Sequence, residues 1–208
     1  MRDYDLYLFD FDNTLYDTSE GIREILRHAL SIVGVPYSES LFGELIGMDM
    51  RQIFDHVVGD PSLFDAYKDE FMRIVATDVY MSGVPFPETA EVLRKLKARG
   101  KHIGIVSGKM RYKIVNLLER DGLSDIPECI VGLMETEKHK PDAEPILYGM
   151  SFFDMPASEI LYIGDSPNDA GCARNAGIDC AIVDRTGDSP VSDEDCDYRI
   201  GSLNELLL

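Results

Sequence analysis

The sequence predicts an α/β fold: a Rossmann-like parallel sheet with helices on both faces, plus a small all-α segment inserted after the first strand. Three observations carry this. Short apolar runs end near Asp10, Ser107, Val131, Asp165 and Val183, and helical patterns alternate with them. The span from about Asp17 to Gly83 shows helical stripes and no convincing buried strand. Polar, chemically capable residues sit where four of those runs stop or shortly after, and ligands bind beyond the carboxyl ends of parallel strands.

The first run, Tyr4, Leu6, Tyr7, Leu8 and Phe9, reads as a buried strand that delivers Asp10 and then Asp12. Side chains at i and i+2 share one face of a strand, so the two carboxylates are expected to emerge together. Like charges buried side by side need something cationic. A hard divalent ion such as Mg²⁺ takes oxygen ligands of this kind. A carboxylate beside it can attack phosphorus and form an aspartyl phosphate. Taken alone, Asp-x-Asp-Asn also suits a turn or a helix N-cap.

The next stretch is helical. Ile22, Ile25, Leu26, Ala29, Leu30 and Val33 form one stripe. Leu41, Leu45 and Ile46 suggest a second helix, and Phe64, Tyr67, Phe71, Ile74 and Val75 a longer one. Gly47-Met-Asp-Met-Arg51 falls in a break between them, and Gly83-Val-Pro-Phe-Pro87 ends the segment. The expected division is a core of residues 1–16 and 84–208 around a helical insertion of residues 17–83.

His102 to Val106 is a second strand, running into Ser107, Gly108 and Lys109. A hydroxyl with a following backbone N–H near a helix start can cradle phosphate oxygens, although Ser-Gly also occurs in ordinary turns. In Lys138-His-Lys140-Pro-Asp142, one base could offset the charge of a transferring phosphoryl group. A solvated basic turn is the alternative. Ile160 to Gly164 runs into Asp165, with Asp169 four residues on near a helix start, and both can face a cation from one loop. A capped strand–turn–helix would look similar. A short strand at Tyr198–Ile200 and a helix from Ser202 are expected to close the domain.

Together the four motifs, Asp10-Phe-Asp12-Asn-Thr14, Ser107, Lys140-Pro141 and Gly164-Asp165-Ser-Pro-Asn-Asp169, resemble the haloacid dehalogenase-like superfamily in its phosphatase branch. The resemblance runs from about Tyr4 to about Val183. It implies that Asp10 is the nucleophile and Asp12 the general acid and base. It implies that Ser107 binds phosphoryl oxygens and that Lys140 neutralises charge. It implies a Mg²⁺ site built from Asp10, the main-chain carbonyl of Asp12, Asp165 and Asp169, with Thr14 bracing the first loop. Asn13 stands where relatives often carry Gly, and Asn tolerates left-handed backbone. Asp12 itself favours phosphate ester chemistry over dehalogenation, because a leaving alkoxide needs a proton.

The same resemblance makes residues 17–83 a helical cap of the kind that selects substrate. Within it Arg51 could meet a second anionic group, or be a surface residue near a helix start. Gly108 and Lys109 are further candidate substrate contacts, Lys109 and Arg23 weaker ones. The four histidines show no metal-ligand spacing.

Composition narrows the partners. A net charge of −18 argues against nucleic acid and anionic membranes. No apolar run approaches a membrane span, and the charged N-terminus resembles no targeting segment. The 4 cysteines lack Cys-x-x-Cys spacing, so buried free thiols and a cytoplasmic location are expected. The expected function is a Mg²⁺-dependent phosphatase for a small phosphorylated metabolite, acting as monomer or homodimer. It looks most like the phosphoglycolate phosphatase group. A phosphomutase of the β-phosphoglucomutase type shares the motifs, and a non-catalytic binding protein on the same fold is a further rival.

Overall fold

A computed structural model describes residues 1–208. The chain divides into two compact units, one of Met1–Asp17 with Val84–Leu208 and one of Thr18–Gly83.

The first unit is built on strand β1 (Leu6–Phe9), whose side chains are all buried. β2 (Tyr16–Asp17) follows, and the chain leaves for the second unit through α1 (Ser19–Ile32), α2 (Glu39–Leu45), α3 (Met50–Val57) and α4 (Phe64–Val75). It returns as β3 (Val84–Pro85), then α5 (Thr89–Ala98), β4 (His102–Val106), α6 (Arg111–Arg120) and β5 (Cys129–Val131). The remainder is α7 (Glu144–Met150), β6 (Ile160–Gly164), α8 (Pro167–Ala176), β7 (Asp179–Val183) and β8 (Tyr198–Ile200).

Six strands form one sheet in the order β5-β4-β1-β6-β7-β8. Every pairing in it is parallel, with Leu6 opposite His102 on one side and Ile160 on the other. Leu6 and Leu8 cluster with Ile146 of α7 and with Ala170, Cys172 and Ala173 of α8. Tyr7 and Phe9 alternate to the other face and are equally buried, so both faces of β1 are covered. That double covering explains why the strands read as continuous apolar runs. The chain crosses from β1 to β4 and β5 on one side, then from β5 back to β6 on the other side of β1. This places a topological switch at the carboxyl end of β1, where doubly wound sheets bind ligands.

Two details differ from the sequence reading. β2 and β3 pair antiparallel in a separate ribbon, Tyr16 opposite Pro85 and Asp17 opposite Val84. Two residues per strand are too few for a period to show. The segment after Ser202 is a 3₁₀ turn over Leu203–Leu207 rather than an α-helix.

The second unit is all helical. α1 packs on α4, and Leu26, Leu30, Phe42, Leu45, Phe54 and Tyr67 form its core. The break read at Gly47–Arg51 is narrower in the structure, because α3 already begins at Met50. Asp49 caps it: its carboxylate accepts from the Gln52 N–H at 2.8 Å, and the Gln52 side chain accepts from the Asp49 N–H at 2.9 Å.

The four cysteines are free thiols, three of them buried and Cys196 partly exposed. No helix is long and apolar enough to cross a membrane.

Candidate active site

Asp10 follows β1 directly. Its N–H donates to Ile163 O at 2.8 Å, which carries the ladder with β6 one residue past the strand and buries the side chain. The chain then turns sharply. Asn13 has φ 58°, a left-handed conformation that Asn accepts more readily than most residues. Its N–H donates to Tyr16 O at 2.6 Å, and the N–H groups of Leu15 and Tyr16 both donate to Phe11 O, at 3.1 and 3.0 Å. The Phe11 and Tyr16 rings stack with centroids 4.4 Å apart. Thr89 Oγ1 donates to Leu15 O at 2.7 Å and Arg185 to Thr14 O at 3.1 Å, so the loop is held from outside as well.

Asp12 lies near enough to Asp10 to oppose its ionisation, yet the two carboxylates use different cations. Lys140 Nζ donates to Asp10 Oδ1 at 2.8 Å, whereas Lys109 Nζ donates to Asp12 Oδ1 at 2.7 Å. Asp12 has already left the strand, so strand alternation no longer sets its direction.

Ser107 directly follows β4, buried, with its N–H donating to Val131 O at 2.9 Å. Its hydroxyl oxygen accepts from the Lys109 N–H at 3.4 Å. Gly108 is exposed, and a side chain there would meet open space. The loop after β5 comes so close that a Cβ on Gly132 would lie 2.6 Å from both Lys109 O and Arg111 N. Only glycine permits that approach.

Asp165 and Asp169 come from the β6–α8 connection. Ser166 and Asp169 form a capping box at the start of α8. A Cβ on Gly164 would lie 2.4 Å from Asp169 Cβ, so the glycine lets Asp169 fold back against the strand end. There Asp169 Oδ2 accepts from Ser166 Oγ at 2.6 Å and from the Ser166 N–H at 3.1 Å. Its Oδ1 accepts from Lys140 Nζ at 2.5 Å. Lys140, which precedes a cis peptide bond to Pro141, thus bridges Asp10 and Asp169. Thr14 is fully buried, and its hydroxyl lies 3.5 Å from Asp165 Oδ1, the position of a brace between two loops.

Tyr162 belongs to this group although the sequence reading passed over it. Its hydroxyl accepts from Lys140 Nζ at 3.2 Å and lies 3.0 Å from Asp169 Oδ1 and 2.9 Å from Val106 O. A tyrosine in an otherwise aliphatic strand is the signal that could have marked it, because a buried phenol needs a partner.

The charges do not balance. Asp10, Asp165 and Asp169 can bring one carboxylate oxygen each within 4.8 Å of one another. Lys140 is the ammonium that touches this set, through Asp10 and Asp169. Burial pushes Asp10 up, and Lys140 only partly offsets that, while Asp169 and Asp12 add to it. Burial, then Asp169 and Asp10, push Asp165 well above the usual carboxylate range. Burial works against the charge of Asp169 too, but Lys140, Ser166 and Tyr162 hold it below its ordinary value. Burial likewise disfavours charge on Lys140, yet Asp10 and Asp169 hold its pKa far above that of a free lysine. Three acids with one base leave an excess of negative charge, and three convergent oxygen donors suit a hard divalent cation. The site therefore fits Mg²⁺. The Asp12 carboxylate stands outside this set.

Arg51, the candidate from the helical segment, is exposed. It donates to Asp55 at 2.8 Å and lies over the Phe64 ring, 4.6 Å from its centroid.

Comparison with known proteins gives the chain a family. Residues 7–183 match the family model described as haloacid dehalogenase-like hydrolase. The chain is 29% identical over 211 residues to the phosphoglycolate phosphatase of Thiobacillus denitrificans, covering 97% of this chain and 93% of that one. It is 27% identical over 212 residues to the pyrophosphatase PpaX of Bacillus velezensis, covering 96% and 93%. A Bacteroides fragilis chain, solved under a haloacid dehalogenase-like hydrolase assignment, superposes with a TM-score of 0.86 at 31% identity, covering 98% of this chain and 100% of that chain.

Proposed function

The chain belongs to the haloacid dehalogenase-like hydrolase family, and from that premise we propose that it is a phosphatase that hydrolyses a small phosphomonoester through an aspartyl phosphate on Asp10. The observation that carries this reading is the buried Asp10 at the carboxyl end of a central strand, with Lys140 at 2.8 Å on Oδ1. A nucleophile whose one oxygen is tied down presents the other to phosphorus in a fixed direction. Phosphoryl transfer depends mainly on such positioning and on charge stabilisation.

In the first step the free oxygen of Asp10 attacks phosphorus and the bond from phosphorus to the ester oxygen breaks. Asp12 delivers a proton to the departing alkoxide. In the second, Asp12 takes a proton from water as that water attacks phosphorus. The bond from phosphorus to Asp10 breaks, orthophosphate leaves and the carboxylate is restored. Lys109 fixes where the Asp12 carboxylate sits. Ser107 and the N–H groups that follow it receive phosphoryl oxygens ahead of α6. Mg²⁺, held by Asp10, Asp165 and Asp169 with the main-chain carbonyl of Asp12, supplies neutralisation of the phosphoryl and carboxylate charge when bound.

We read residues 17–83 as the cap that selects substrate, with Arg51 exchanging Asp55 for a second anionic group of the ligand. Phosphoglycolate and pyrophosphate, named for the relatives, are the first substrates to try, and a cytoplasmic setting suits such metabolites.

The test is phosphate release, with and without Mg²⁺, from a panel of phosphoglycolate, sugar phosphates, nucleotides and pyrophosphate. Asp10→Asn should release nothing. Asp12→Asn should lower kcat by at least about a hundredfold, the range of general acid–base catalysis. Undiminished turnover in Asp12→Asn would remove it from the mechanism. Silence across the whole panel would remove the phosphatase reading.

A further inference from the structure

We propose that Tyr162 is a positioning residue, whose hydroxyl locks the Lys140 ammonium between Asp10 and Asp169. The kinetic part of this inference rests on the phosphatase reading; the structural part does not.

Tyr162 lies in β6 with no exposed surface, among Ile160, Leu161 and Ile163. A phenol buried there could satisfy itself on any nearby carbonyl. Instead it reaches past the end of β1 to the last carbonyl of β4, Val106 O, and meets the charged pair on the way. Lys140 has three N–H donors and no acceptor. Three oxygens face it: Asp169 Oδ1 at 2.5 Å, Asp10 Oδ1 at 2.8 Å and Tyr162 Oη at 3.2 Å. Each donor thus has one acceptor, and the ammonium is fixed in rotation as well as in place.

The third anchor matters because lysine reaches the site on a flexible four-carbon stem with many rotamers. Two contacts would leave the ammonium free to swing about the line joining them. A carboxylate as third acceptor would add charge to a pocket that already holds three acids around one base. A hydroxyl accepts without that penalty. It also has a single proton with two acceptors in reach, Val106 O and Asp169 Oδ1. Whichever of the two takes that proton, the lone pair stays with Lys140. Ring packing alone would not require any of these contacts, and phenylalanine would fill the same space.

Tyr162→Phe therefore separates packing from positioning. With p-nitrophenyl phosphate and Mg²⁺, its kcat should fall roughly ten- to a hundredfold, the usual cost of losing a partner behind a ligating group. KM and the melting temperature should stay close to wild type. In a Lys140→Ala background the same change should cost nothing further, because the hydroxyl acts through Lys140. An unchanged kcat in the single variant, or an equal loss in both backgrounds, overturns the proposal. A second readout needs no turnover. In metal-free protein labelled with ¹⁵N at lysine Nζ, one ammonium signal should resist exchange with water, vanish in Lys140→Ala and exchange fast in Tyr162→Phe. A wild-type Lys140 signal exchanging like a surface lysine overturns the proposal without any variant. The expected exchange pattern without any phosphate release would instead sink the phosphatase reading and leave the positioning role standing.

Discussion

Burial pushes the Asp10 carboxyl up to about 6, and Asp169 and Asp12 add to that while Lys140 opposes it. A carboxyl whose folded pKa is raised favours the folded state most when protonated, so its contribution is lost as pH rises through the folded value. Asp10 thus weighs against folding of the metal-free protein above about pH 6 and stops doing so toward pH 4, and Asp165, raised by the same burial, acts in the same direction. Asp10→Asn should melt above wild type in EDTA near neutral pH, with the gap closing as the buffer is acidified. Excess Mg²⁺ should reverse the order, since wild type alone gains the full binding energy. A wild type that melts higher in both buffers would contradict this account. The acids at this site were legible because charged residues at the ends of apolar runs are conspicuous. Tyr162 was not, because an aromatic inside a strand reads as core. The partners that give its hydroxyl a purpose, Lys140 and Val106, lie 22 and 56 residues away in the chain. Arg51 was legible as a cation but not as half of an ion pair, although Asp55 stands one helical turn on.

At the level of elements, caps fix boundaries that periodicity leaves open. The helical stripes of α1, α2 and α4 are readable, as are the six strands of the main sheet; the central ones are buried on both faces and leave apolar runs, whereas β8 carries Arg199 and is short. α3 was read only as the neighbourhood of Arg51. Gly47 marks a break between helices in the sequence, while the reciprocal Asp49 and Gln52 bonds that start the helix three residues later carry no apolar signal. Asp49→Ala should lower stability by about 1 kcal/mol, the typical worth of an N-cap. Urea unfolding followed by circular dichroism would show the midpoint shift, whereas Asp49→Ser should lie near wild type. An Asp49→Ala midpoint equal to wild type would mean that α3 is held by its buried Ile53 and Phe54 alone.

For the whole molecule, the balance of 38 acids against 20 bases sets a competition. Net charge of −18 repels itself in the compact state. Exposed pairs such as Arg73–Glu70 and Lys95–Glu91 pull the other way, but solvent and salt screen such surface pairs to little effect. Repulsion should win, so raising NaCl from a few millimolar to about 0.2 M should raise the melting temperature through screening. A fall would mean that the surface pairs outweigh the excess charge. The same field disfavours anionic ligands, and at the acidic site Lys109 and Lys140 offset it only in part.

The pairing of Tyr16 with Pro85 and of Asp17 with Val84 brings the two ends of the helical insertion to one place on the sheet-bearing unit. Seen from that unit, residues 18–83 are a single loop, whatever they fold into. Strand order and the loops that carry the acids are indifferent to its length and content. Both ends of the insertion are thus anchored by one short ribbon, and that ribbon is all the sheet-bearing unit needs to close the chain.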